Sequence, residues 1–348
     1  MLLREENKMQ LEQKNNRYVC FDILKCLCSF MIVCIHKGFA KGAGPIRMVS
    51  RMAVPVFFMI SGFFYCRNKL NKKTINKGKL LKFYLFWCLI YAIYSIIHNL
   101  LKGISISDYL NNMFSLQSIF EFIFLNYHPL IGVIWYLGAY LYSLIVIDYL
   151  YDKGYKKILY KLSPILLIIG IFLGTFSRYM FGTTFSVAYS RNFIFIGIPF
   201  IVFGMQIYEN KEKILAKKKT INIVLEPIFI VLAFFEYFYL KNNYDLIRGD
   251  VFISSVCLSI NTFILFLKYY NNKEPNKVES ILAKIGMEYS AGVYYIHIIV
   301  KNILDILTSN NMLNKVYTMF APLLIYLACT AVIFIYKKTI YKRLTFMF

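Results

Sequence analysis

Charge is what this sequence has least of. Asp, Glu, Lys and Arg make up 17% of the 348 residues, and only 18 of them are acidic. A soluble domain carries about 25% charged and roughly 45–50% apolar residues; here apolar types reach 59% and aromatics 18%. So much apolar surface cannot be hidden in one soluble core, which excludes a disordered chain and an ordinary cytosolic enzyme. Cysteine is also uninformative. Cys26 and Cys28 point to different helix faces, and nearly all eight cysteines lie in apolar runs, where Cys acts as a small hydrophobe. Neither a disulfide scaffold nor a metal site is expected. Gly/Ser linkers and internal repeats are missing, so one domain is expected over residues 18–348. A cleavable signal peptide is missing too. Residues 1–17 are polar and read as a cytoplasmic segment, and the first apolar run carries Asp22 and Lys25.

What is present is a set of long apolar runs punctuated by cations. The net charge of +22 raises the question of nucleic acid, but Lys and Arg come in short clusters between apolar stretches. The expected partner is therefore a lipid bilayer, not nucleic acid. Ten intervals are candidate membrane helices: 19–39, 50–66, 83–101, 130–150, 163–177, 192–208, 220–240, 249–268, 291–310 and 316–336. An even number puts both termini on one side. Assigning that side to the cytoplasm places 28 Lys and Arg inside and 10 outside, so the positive-inside rule predicts both ends cytoplasmic. The expected fold is all-α, with about ten transmembrane helices. The long outer connection, 102–129, contains Asp108, Glu121 and His128, and its segment 115–125 reads as amphipathic or re-entrant.

Ionisable residues inside a membrane helix are costly and point to function. The first helix carries Asp22, Lys25 and His36. Asp22 and Lys25 are one turn apart and can pair. Lys25 and His36 are eleven residues apart, about 1,100° of rotation, which brings them within roughly 20° of one face and about 16 Å apart along the axis. Ser29, Ile32 and Val33 are expected to line that face, with Leu27, Met31 and Cys34 opposite. A snorkelling Lys and an interfacial His would explain either residue alone. Glu236, among the aromatics of FFEYFYL, needs a partner such as Arg178, Arg191 or His36. It reads as an active-site carboxylate or as half of a structural pair. Glu226 lies nearer the inner end, where Lys217–Lys219 are expected to neutralise it.

The second candidate helix begins Arg51-Met-Ala-Val-Pro55-Val-Phe-Phe and continues to Ser61-Gly62. Together with Lys25, ten residues and His36, this run resembles the acyltransferase-3 family of integral membrane acyltransferases. That family includes O-acetyltransferases of bacterial envelope glycans and the membrane half of vancomycin-resistance serine racemases. The resemblance continues through Lys79-x-x-Lys82, Trp135-Tyr136-Leu137, Arg191-Asn192 with Gly197-Ile-Pro199-Phe and Gly204, and Ser290 to His297. The family usually has Arg where this chain has Lys25, Lys79 and Lys82. Lys keeps the charge but loses the bidentate fork. The His that often precedes the Trp motif is Val133 here; either His128 takes its place or that role is absent.

The resemblance implies a multi-pass enzyme of the bacterial cytoplasmic membrane. It would move an acyl group, expected to be acetyl, from cytoplasmic acyl-CoA to a hydroxyl or amine at the outer face, on an envelope glycan or lipid-linked acceptor. Acyl-CoA is then a donor substrate and no tightly bound cofactor is expected. His36 is the expected base or acyl carrier, since an unperturbed imidazole titrates near pH 6.5. Lys25, Arg51, Arg191 and Glu236 complete the expected catalytic set. Lys79, Lys82 and Ser61 are expected at the donor, and Trp135, Tyr136 and His128 at the acceptor. His297 reads equally as a motif residue or a hydrogen-bonded core histidine. The rival class is a transport module for a small polar solute such as serine, which would use the same polar stripe.

Overall fold

The computed structural model describes residues 18–39, 44–103, 105–127, 132, 134–244, 249–271, 273–308 and 313–339. Among these every regular element is a helix, without a strand. The helices are α1 (Val19–His36), α2 (Gly44–Ser50), α3 (Ala53–Leu70), α4 (Lys77–Leu101), α5 (Ile106–Met113), α6 (Leu116–Leu125), α7 (Trp135–Asp152), α8 (Lys156–Leu173), α9 (Ser177–Phe181), α10 (Ile198–Glu209), α11 (Lys211–Ala216), α12 (Thr220–Tyr244), α13 (Ile253–Tyr269), α14 (Lys277–Thr308) and α15 (Leu313–Thr339). Among the described residues, seven helical segments are long and apolar enough to cross a membrane: Val19–His36, Gly44–Leu70, Lys77–Leu101, Val187–Glu209, Thr220–Asn243, Lys277–Thr308 and Asn314–Thr339. Three more helices, α7, α8 and α13, occupy the other apolar intervals of the sequence. α8 carries Pro164 inside it, and α13 has 17 residues.

The bundle is arranged around α1. It packs most extensively against α14 and also touches α2, α3, α13 and α15. In hydrocarbon the hydrophobic effect does not drive helices together, so close association comes from small residues that let backbones approach. Gly286 of α14 sits directly over the Asp22 carbonyl and the Cys26 amide of α1, and a Cβ there would overlap that backbone. α3 and α10 do the same reciprocally: Gly62 lies on the Ile201 carbonyl and Gly204 on the Met59 carbonyl. Both are motif glycines, and their role is to bring two helices into backbone contact. The faces turned away from the core are apolar on α4, α12 and α15, as lipid requires.

Segment 115–125 does form a helix, α6, and its polarity is reversed. Leu116, Phe120, Ile123 and Phe124 are exposed, while Ser118 and Glu121 are buried, Glu121 accepting a bond from Gln117 at 3.0 Å. An apolar face turned outward is what a lipid-facing helix needs.

Overpacking a close contact costs about 1–3 kcal/mol, and Gly286→Val is expected to reach or exceed that range because the obstacle is backbone. The check is the Tm of the purified protein in detergent. Gly286→Val should lower it clearly, whereas Gly78→Ala, whose added carbon meets only Asn76 Oδ1 at 3.5 Å, should leave it unchanged.

Candidate functional site

At the His36 end of α1 lies a cavity of about 230 Å³. It is lined by His36, Arg51, Trp135, Arg191, Asp250 and Tyr294, with Ile32, Ile35, Val54 and Pro55 among its apolar walls. Several elements deliver these side chains. His36 is the last residue of α1, and its ring is exposed to the cavity. Arg51 sits in the turn between α2 and α3, and Pro55 falls in the first turn of α3, where a missing N–H costs nothing. Arg191 precedes a π-helical turn, Phe193–Gly197, which Asn192 caps by accepting from the amides of Ile194 and Phe195, both at 3.0 Å. Single π turns often occur at functional sites.

Asp250 holds the two guanidiniums together. Its Oδ1 accepts from Arg51 Nη1 at 2.6 Å and from Arg191 Nη2 at 2.8 Å, and its Oδ2 accepts from Arg191 Nε. Three ions in one site sum to a single positive charge, and Arg51 keeps donors that Asp250 does not engage. The Arg191 guanidinium also lies 5.7 Å from the centre of the Trp135 ring, a cation–π distance. A second hub supports this wall. Asn126, in the left-handed conformation at the end of α6, accepts from the Phe193 amide at 2.7 Å and donates to the Trp135 carbonyl at 3.4 Å.

A second cavity, about 280 Å³, begins at Lys25. Its walls are Leu80 and Phe83 of α4, Tyr136 and Tyr140 of α7, and Met287, Ser290, Tyr294 and Tyr295 of α14. Ile32, Val54 and Tyr294 line both cavities, so the two adjoin across these three side chains. The stripe on α1 therefore links Lys25, Ile32 and His36, and it is narrower than the sequence suggests. Ser29 faces α15, donating to the Cys26 carbonyl at 2.9 Å and meeting the Tyr326 hydroxyl at 3.1 Å. Val33 packs with Val293 and Tyr317. Both lie to one side of the line through Lys25 and His36, where α14 and α15 cover the helix. Lys25 pairs with Asp22 at 3.3 Å, as one turn of spacing predicts.

The remaining expected site residues are dispersed. Tyr136 lines the Lys25 cavity and Trp135 the His36 cavity, so the adjacent pair serves two spaces. Ser61 donates to the Phe57 carbonyl at 3.0 Å and stands 3.5 Å from the Tyr136 hydroxyl, behind the cavity wall. Lys79 and Lys82 are exposed on α4, interleaved with the cavity residues Leu80 and Phe83. Lys69 and Lys77 of the same basic stretch are already committed to Asp148. Glu236 is buried but meets neither Arg191 nor His36. It caps α13, accepting from the amides of Ile253 at 3.1 Å and Ser254 at 2.9 Å. Glu226 is satisfied by Asn261 at 2.6 Å and by Thr262, both on α13. His128 lies outside the described residues.

Sequence reasoning missed Asp250. The signal was available: a lone acid at the start of an apolar interval, on the side where Arg51 and Arg191 fall. The positive-inside rule counts only cations, and Glu236, with Arg178, Arg191 and His36 as its expected partners, stood as the nearer acid in the sequence.

Two outcomes follow from this geometry. Removing one partner of a fully buried ion pair costs roughly 3–5 kcal/mol; this cluster is part-buried, so Asp250→Ala should lower the Tm by an amount below that range and Asp250→Glu less. Glu236→Gln keeps an acceptor for the α13 amides, so its activity per folded molecule should match that of the parent protein. A large specific loss there would return Glu236 to the site.

Comparison with known proteins agrees with the resemblance read from the motifs. A family model described as an acyltransferase domain, acyltransferase-3, matches residues 18–337. Two curated relatives, both named amino-acid racemase and both from Enterococcus faecalis, are 28% and 24% identical over 221 and 315 residues. Those matches take in 58% and 84% of this chain but 29% and 43% of the relatives, so the chain spans less than half the length of the curated relatives it matches. No solved structure matches. With its family model spanning the described helices from α1 to α15, the chain belongs to the acyltransferase-3 family of integral membrane acyltransferases.

Proposed function

We propose that the protein takes an acyl group, acetyl in the simplest case, from cytoplasmic acyl-CoA and delivers it to a hydroxyl or amine of an envelope glycan or lipid-linked acceptor at the outer face of a bacterial cytoplasmic membrane. The observation that carries this reading is the adjoining of two unlike cavities along one face of α1, one starting at Lys25 and one ending at His36, Arg51 and Arg191. In this reading α7, α8 and α13 cross the membrane together with the seven segments named above, which gives ten crossings and two cytoplasmic termini. Residues 18–348 then act as one domain behind a cytoplasmic segment, 1–17.

The chemistry needs a base and a site for developing negative charge. His36 removes the proton of the acceptor hydroxyl as its oxygen attacks the thioester carbonyl. The carbonyl oxygen gains the charge that Arg51 steadies, the C–S bond breaks, and CoA leaves as a thiolate that is then protonated. Arg191, fixed by Asp250 and Trp135, keeps Arg51 in place. The largely apolar Lys25 cavity suits a pantetheine arm, and Lys25, Lys79 and Lys82 supply point charges for the phosphates at its inner mouth.

Four results test this. His36→Ala should lower acyl transfer by at least about 10²-fold, the smaller end of what a positioned base contributes, in protein that still inserts. Neutralising Lys79 and Lys82 together should weaken acyl-CoA binding and reduce its salt sensitivity, since screening acts on exposed charges. Ile32→Trp should block transfer at the junction of the cavities, while Leu27→Trp, on the opposite and partly exposed face, should be tolerated. Reporter fusions at residue 348 and within 102–129 should report opposite sides. Uptake of an amino acid into liposomes without CoA turnover would replace this proposal with the transport reading.

A further inference from the structure

His297 is a buried histidine with a half-used ring. It lies on α14, 1% exposed, and its Nδ1 sits 2.7 Å from the Tyr294 carbonyl and 3.1 Å from the Val293 carbonyl. Carbonyl oxygens only accept, so Nδ1 of the neutral ring carries the proton and Nε2 presents a bare lone pair. That Nε2 is buried and makes no hydrogen bond. Leaving such an acceptor buried and unmatched is unfavourable, because its desolvation is not offset. The ring centroids of His297 and His36 are 4.9 Å apart at 47°, against 6.1 Å between those of His297 and Tyr294. Adding the radii of two imidazoles to an N–H···N bond of about 3 Å gives a separation of that order, so the two rings are within the centroid distance that such a bond requires. Hydrogen bonds of catalytic groups are often loose in unliganded enzymes and tighten when substrate binds.

We infer that His297 is a positioning residue for His36: its Nε2 accepts an N–H from one ring nitrogen of His36 and so turns the other, unprotonated nitrogen toward the cavity. This rests on the reading of His36 as the base. The helix fixes the direction of the pair. Because the Val293 and Tyr294 carbonyls hold the proton of His297 on Nδ1, Nε2 has no proton to donate, and the shared proton must come from His36. During transfer the acceptor O–H bond breaks and its proton goes to the cavity-facing nitrogen of His36. The resulting imidazolium keeps its other N–H on His297 Nε2. No proton is transferred to His297, and it touches no substrate.

The experiment uses full-length protein in detergent or nanodiscs, with acetyl-CoA and a sugar acceptor. His297→Asn keeps a donor for the helix carbonyls and removes the Nε2 acceptor, and His297→Gln places an amide where Nε2 was. The expected result is a kcat lowered about 10–100-fold in the Asn variant, a fraction of the effect of a general base. KM for acetyl-CoA should be unchanged, with partial recovery in the Gln variant. A kcat within threefold of the parent in the Asn variant overturns the proposal. Should either variant fail to fold, 15N-histidine spectra of the parent protein decide: a 15N–15N coupling across the hydrogen bond between His36 and His297 is expected, and its absence with acetyl-CoA bound overturns the dyad. Activity retained in His36→Ala would instead remove the base reading and leave the coupling in the parent untouched.

Discussion

Asp250 is the residue on which the arrangement turns. Three segments far apart in sequence, the α2–α3 turn, the approach to α10 and the approach to α13, meet on its carboxylate through Arg51 and Arg191. Two guanidiniums would repel one another in so enclosed a space, and one carboxylate between them makes the cluster tolerable while leaving a surplus positive charge. Removing charges from water is expensive, and the cost is recovered only when geometry and hydrogen bonds are good. Here each Asp250 oxygen is engaged, Arg191 lies over Trp135, and Asn126 ties the Trp135 and Phe193 backbones together. The result is a polar wall around the histidine at the end of α1.

The second constraint is α1 itself. Its Lys25 end opens into an aromatic cavity and its His36 end into the charged one, with Ile32 between. Gly286 lets α14 lie directly on α1, which brings Tyr294 into both cavities and His297 against His36. Asp305 fastens the same end of the helix, accepting from Lys37 at 2.7 Å, Lys301 at 2.8 Å and the Tyr317 hydroxyl at 2.7 Å. In this account function depends on backbone proximity between α1 and α14 as much as on any single charged group.

The all-helical membrane class was legible in the sequence, because apolar length and clustered cations are direct consequences of a hydrocarbon solvent. The stripe from Lys25 to His36 was legible too, since helical phase depends only on residue number. Its width was not: whether Ser29 or Val33 joins it depends on where α14 and α15 pack. Pairings across the fold were the least legible. Glu236 looked like a partner for Arg191, but a buried carboxylate is satisfied as well by two amides at a helix start, and the nearby start of α13 supplies them. Asp250 lies just before that same start and takes the arginines instead. Lys79 and Lys82 were read as a pair one turn apart, which holds, but their side chains are exposed beside the cavity walls.

The central claim is that donor and acceptor meet where the two cavities adjoin. The most direct measurement is a cryo-EM map of the full chain with a non-hydrolysable thioether analogue of acetyl-CoA. The account predicts density for the pantetheine arm between Lys25 and Ile32, with the acyl carbon beside His36 and Arg51. A bound analogue whose arm lies outside the Lys25 cavity, with its acyl group remote from His36, would contradict it.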